Sequence, residues 1–191
     1  MRKEIKLTKW DLNKANKFAD LRCGENQDLY KRRGGFKRED IVNGALAEIG
    51  AYKLLKESGV SISEPDFAIY KKGEKSFDAD LIDDNENKFH IKGQGIKSVV
   101  RYGCSWLMQR HDPIISNPRR KHFIVPCVVD VEKMTVYVYG IIPVLTMIDR
   151  QCIGECAVPS FRRTKIAIYN DYMESVLTEN SRWGLLKRVG G

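Results

Sequence analysis

The side chains able to do chemistry lie close together: Asp78, Asp80, His90 and Lys92. The aspartates sit in Phe77-Asp78-Ala79-Asp80-Leu81-Ile82, and the other two in Lys88-Phe89-His90-Ile91-Lys92. Both runs have strand character, and Asp83-Asp84-Asn85-Glu86-Asn87 between them is turn chemistry, so a hairpin is predicted. A turn centred near Asn85 pairs residues whose numbers sum to about 170, which sets Asp80 opposite His90 and Asp78 opposite Lys92. Side chains two apart on a strand share a face, so all four point to one side of the sheet. Such a cluster is costly to bury unless it binds a charge. Magnesium suits it, because carboxylates and a backbone carbonyl such as that of Ile91 are hard oxygen ligands. A cation held this way polarises a phosphate oxygen and acidifies a bound water, while a lysine beside it orients that water and offsets charge building on the phosphorus. No Ser or Cys triad is visible, and none is needed if water attacks.

The hairpin is preceded by a helix predicted from Glu39 to Glu57, with Glu39 and Asp40 at its positive end and Ser58-Gly59 as its stop. Ile41, Ala45, Ile49, Tyr52 and Leu55 recur at steps of three and four. Projected on the helix, Glu48 falls beside Ile41 and Tyr52, which places a carboxylate on the inward face as a further metal ligand. Gly44, Ala47 and Ala51 keep a neighbouring strip small enough for close approach of a sheet or a substrate.

The pattern Glu48 … Asp78/Asp80 … His90-Ile91-Lys92 resembles the PD-(D/E)XK nuclease superfamily, the fold of many restriction enzymes, junction resolvases and phage nucleases. The segment from Asn43 to Ala51 is similar to that family's glutamate helix, and Phe89-His90-Ile91-Lys92-Gly93-Gln94 to its signature strand, including the Gln that often follows the Lys. The resemblance covers residues 39–97. It implies an α/β fold with a restriction-endonuclease-like core, a central mixed β-sheet flanked by helices. It implies Lys92, His90, Asp80, Asp78, Glu48 and Gln94 as catalytic residues, with Mg2+ or Mn2+ held by Asp80 or Asp78, Glu48 and the Ile91 carbonyl. Asp78 and Asp80 compete for one role; Asp80 is preferred because it stands opposite His90. His90 departs from the family, which has an acid there. Either it binds a softer ion such as manganese, or Glu48 takes over, or it acts on the water.

Composition agrees with a polyanionic partner. Lys plus Arg is 33 and Asp plus Glu 25, so 33 − 25 leaves a net charge of +8. Lys31-Arg32-Arg33 and Lys37-Arg38, around two glycines, read as a basic loop, and Arg119-Arg120-Lys121 is a second basic run. Both are expected to grip a phosphate backbone. Residues 1–38 are expected to be a basic N-terminal extension, and 39–191 the nuclease-like domain. Further strands are expected at His122–Val131, Met134–Ile142 and Lys165–Tyr169, with residues 94–121 largely irregular and a final helix from Asp171, broken near Asn180-Ser181. Cys23, Cys104, Cys127, Cys152 and Cys156 are odd in number and scattered, which argues against a disulfide framework. No apolar run is long enough to span a bilayer and none follows Met1-Arg2-Lys3, so no membrane and a cytoplasmic home are expected.

The expected activity is metal-dependent hydrolysis of phosphodiester bonds in DNA, by a homodimer if both strands are cut. Its rivals are a structure-selective nuclease such as a Holliday-junction resolvase, an inactive nuclease fold that only binds DNA, and a basic module that binds RNA or protein.

Overall fold

The computed structural model describes residues 2–25, 38–70 and 79–189. In chain order the elements are β1 (Lys3–Lys6), α1 (Lys9–Glu25), α2 (Arg38–Glu57), β2 (Leu81–Ile82), β3 (Lys88–Gly95), α3 (Ile96–Tyr102), β4 (Ser105–Gln109), α4 (Pro113–Ser116) and β5 (His122–Asp130). They continue with β6 (Thr135–Val138), β7 (Ile142–Pro143), α5 (Val144–Asp149), β8 (Ile153–Glu155), β9 (Lys165–Tyr169), α6 (Asn170–Val176) and α7 (Glu179–Val189). The larger sheet has the order β1-β6-β5-β3-β2, with β7 also on β5, and a second sheet is β4-β9-β8. Only β3 and β5 run parallel, from Lys88↔His122 to Gly95↔Val129, so the larger sheet is mixed. The protein is therefore a mixed α/β fold, as the sequence predicts.

Alternation along the strands divides the interior into two cores. Phe89 and Ile91 of β3, with Phe123, Val125, Cys127 and Val129 of β5, face one core, which α1 and α2 cover. Ile124 and Val128 face the other core, shared with Trp106 and Met108 of β4 and Ile166 and Ile168 of β9. The closest approach is between α2 and the sheet. A Cβ on Gly50 would lie 2.6 Å from that of Val136, and one on Gly93 would lie 2.9 Å from that of Ala47. The small strip on α2 is thus what lets its backbone lie against β3 and β6. Pro126 sits within β5, where it has no N–H to donate. On that edge of β5 the ladder passes from β6 at Cys127 to β7 at Ile124, across the missing donor.

Residues 3–25 correct the expected N-terminal extension. β1 pairs along β6, and Ile5, Leu7, Ala15, Phe18 and Ala19 are buried in the first core. The helix is hard to read in sequence because its buried side holds two alanines and the polar Asp11. Asp11 is satisfied locally: its carboxylate accepts from the Thr8 N–H at 2.6 Å and the Thr8 hydroxyl at 2.8 Å, and it pairs with Lys53 of α2. Burial pushes its pKa up, but these partners together hold it below the usual carboxylate value. Residues 94–121 are also more regular than expected, containing the end of β3 and all of α3, β4 and α4. The strand expected from Met134 to Ile142 divides into β6 and β7, and the final helical stretch breaks at Leu177-Thr178. Trp106 and Trp183 are buried, and all five cysteines are free thiols. Among the described residues no helix is long and apolar enough to cross a membrane.

Candidate functional site

The hairpin forms in the predicted register. Leu81 pairs with Phe89 and Ile82 with Lys88, both sums being 170. The turn is built on Asp83, which accepts from the N–H groups of Asn85 at 3.0 Å and Asn87 at 2.8 Å. One step beyond β2, the Asp80 N–H donates to the Phe89 carbonyl at 3.0 Å. Its carboxylate Oδ2 then accepts the Ile91 N–H at 2.7 Å, taking the place that the next backbone carbonyl of the ladder would hold. In a strand the N–H and C=O of one residue leave on the same side. The Ile91 carbonyl therefore points toward the Asp80 side of β3. Asp78 lies outside the described residues.

His90, Lys92 and Gln94 share the face of β3 that looks away from α2 and toward the second sheet. His90 is only 4% exposed, and its Nε2 lies 3.1 Å from Nδ1 of His122, with the rings stacked. Burial, then the nearby charge of Lys92, push the His90 pKa down to about 3. Burial also lowers His122, with Lys88 and Arg119 adding to the effect. At neutral pH both rings are uncharged and can share one proton in an N–H···N bond. Gln94 is spoken for at both ends of its amide: Nε2 donates to the Gly103 carbonyl at 3.0 Å and Oε1 accepts the Ser105 N–H at 2.9 Å. It ties β3 to the start of β4. Lys92 is half-buried between these two residues.

Glu48 follows the residue of α2 that meets β3. The side chain of α2 that meets β3 is Ala47, against Gly93, and α2 covers the face opposite to Lys92. Glu48 is half-buried one step round the helix. Among the described residues no three His, Cys, Asp or Glu side chains gather as a metal-holding group. Magnesium does not require one, since it commonly takes one or two carboxylates and completes its shell with water and substrate phosphate. Asp80 and the Ile91 carbonyl supply hard oxygens on one side of β3, which fits that ion and not a thiol-seeking one.

The basic residues separate. Lys31, Arg32, Arg33 and Lys37 lie outside the described residues. Arg38 is held by Asp20 through Nε at 2.6 Å and Nη2 at 3.1 Å. Lys121 reaches across to the hairpin turn, donating to the Asn85 carbonyl at 2.9 Å and pairing with Glu86 at 3.2 Å. Arg119 and Arg120 are exposed beside it. Because β3 and β5 are parallel, this loop stands at the Lys88 end of β3, roughly 13 Å along the strand from Lys92.

At the other end of β3, a cleft of about 530 Å³ opens where Gly93, Gln94 and Gly95 meet Tyr102, Ser105, Leu107 and the segment 156–161. Nothing in the local sequence signals it, because its walls come from segments about fifty residues apart. Comparison with family models, with curated proteins and with solved structures finds no match.

Proposed function

We propose that the chain is a metal-dependent DNA endonuclease of the PD-(D/E)XK type. The observation that carries this reading is the rung at Asp80. Its carboxylate is held on the Ile91 N–H, on the strand edge to which the Ile91 carbonyl also points, with Lys92 one residue further along β3. Asp80 and that carbonyl would hold Mg2+ or Mn2+, with Glu48 as a further carboxylate. The bound ion supplies a polarised phosphate oxygen and a water acidified for attack. Lys92 orients that water and offsets the negative charge that grows on the phosphorus. The neutral His90–His122 pair backs Lys92 with an uncharged surface, so His90 acts as a positioning residue. Gln94 fixes the strand that carries Lys92. Arg119 and Arg120 meet the phosphate backbone of DNA, and two copies of the chain would cut two strands.

The test is nicking of supercoiled plasmid with Mg2+ or Mn2+. Lys92→Ala and Asp80→Asn should each lower its rate by about 100-fold or more, while Asp80→Asn still offers an amide oxygen to the Ile91 N–H and keeps the fold. Nicking that survives both substitutions refutes the assignment. A second reading, a nuclease fold that only binds DNA, is favoured by one observation. His90 stands where the resemblance calls for an acid, and it is buried against His122. Tight, metal-independent DNA binding with no nicking by the unaltered protein selects that reading.

A further inference from the structure

The cleft beyond Lys92 has walls unlike those of a simple backbone groove. Tyr102 is 48% exposed and Phe161 44% exposed, and both rings line it together with Tyr169. The Arg101 guanidinium stands over the Tyr102 ring, 5.0 Å from its centre. Phe161 is followed directly by Arg162 and Arg163, and Arg162 is anchored by its Nε on the Cys156 carbonyl at 3.3 Å. Tyr169 holds the opposite wall in shape, its hydroxyl donating to the Glu155 carbonyl at 2.7 Å and accepting the Ala157 N–H at 2.8 Å. Among the described residues the lining has one carboxylate, Asp40. Two exposed aromatic rings in the lining, with Arg101 over one and Arg162 and Arg163 following the other in the chain, match a ligand that alternates flat apolar groups with negative charges.

We propose that this cleft takes an unpaired nucleobase adjoining the scissile phosphate, stacked against Tyr102 and Phe161. This rests on the nuclease reading and narrows its substrate to nucleic acid with a single-stranded or splayed nucleotide at the cut. Gly93 and Gln94, which line the cleft, follow Lys92 directly in β3, so a phosphate at Lys92 brings the next nucleotide beside it. The volume is in the range of small-ligand sites, about 300–1,000 Å³. A base inside a duplex cannot enter, because both its faces are already stacked. Base–aromatic stacking tolerates any sequence, so the cleft selects structure and not a base order.

The test separates binding from cleavage. Full-length Lys92→Ala protein in EDTA is titrated with a short single-stranded oligonucleotide carrying a fluorescent adenine analogue, and with its duplex. Quenching of the analogue by the single strand, with the duplex bound at least about tenfold more weakly, is expected. Adding Tyr102→Ala or Phe161→Ala should remove the quench and weaken single-strand binding about tenfold or more, while Tyr102→Phe restores both. Circular dichroism checks that the alanine variants are folded. No quench with the parent, equal affinity for duplex, or an unchanged quench in Tyr102→Ala overturns the proposal. If the quench behaves as expected but the unaltered protein never cleaves with metal, the cleft stands and the nuclease reading fails.

Discussion

The two ends of β3 are built on opposite principles. At its start, Lys88 to His90 are enclosed by β2 on one side and β5 on the other, and His90 is sealed against His122. The adjacent turn is cross-linked by Asp83 and by Lys121. At its end, β2 has stopped, and Gly93 to Gly95 run against α2 and into a cleft that α2 also helps to line through Asp40 and Asn43. Asp80 and Lys92 stand at the boundary. A metal-assisted site needs both conditions: rigid neighbours that hold its ligands in place, and an open edge through which a phosphate can reach them. The enclosed end thus serves as the mount and the open end as the entrance.

The largest effect is expected at the boundary itself. Lys92→Ala should lower the rate of plasmid nicking by about 10²–10⁴-fold, the range for loss of one positioned proton-handling or charge-stabilising group. Its thermal midpoint should stay near that of the parent. A large loss of stability without a selective loss of rate would make Lys92 part of the mount.

The next largest effect tests the enclosed end through pH. His90 is held down to about 3 when folded, against 6.5 for an ordinary histidine. Above about 6.5 both folded and unfolded chains keep it neutral, so it adds no pH dependence. Between there and about 3 the unfolded chain takes up the proton first, and stability should fall by up to ~1.4 kcal/mol for each pH unit. Urea midpoints measured at pH 7 and pH 4.5 read this directly. His90→Gln should make the slope shallower, with His122 contributing what remains.

Glycine substitutions set the backing of the open end against a position that has room. Gly93→Ala forces a Cβ to 2.9 Å from that of Ala47 and 3.1 Å from the Asn43 carbonyl oxygen, so α2 must move. A destabilisation of about 1–3 kcal/mol is expected from urea unfolding. Gly44→Ala on the same helix meets nothing within 4 Å and should stabilise by up to about 1 kcal/mol. If both substitutions behave alike, close packing of α2 on β3 is not what supports the open end.

The smallest effect is expected at the basic loop. Arg119→Ala with Arg120→Ala should weaken DNA binding uniformly across sequences. It should also flatten the plot of log affinity against log salt by about 0.9 for each phosphate that the protein no longer neutralises. An unchanged salt slope would place the DNA elsewhere.

Much of this arrangement is legible in the chain. The α2 helix, the Asp83–Asn87 turn and the register that pairs Leu81 with Phe89 follow from local signals: apolar recurrence, turn residues and the two-residue period of a strand. These act between residues close in sequence, so no knowledge of the rest of the molecule is needed. The helix α1 is illegible by the same signals, because alanines and a buried aspartate leave almost no apolar stripe. Asp11 is acceptable inside because Thr8 and, from another helix, Lys53 answer it. Glu48 projects onto the inward arc of α2. Which face of β3 that helix covers is decided by Gly93 and Gly50, and those contacts put it opposite to Lys92. His90 is a potential ligand in sequence and a buried partner of His122 in space, through the parallel register of β3 with β5.

The chain alone therefore dictates the register of the hairpin and which groups of β3 share a face, since neighbours along a strand have no choice of side. What that face looks toward, which helix backs it, and where a cleft lined by Tyr102 and Phe161 opens beside Lys92 are settled only when the molecule folds up. Those are contacts between distant segments, chosen by close packing and burial rather than by any local preference.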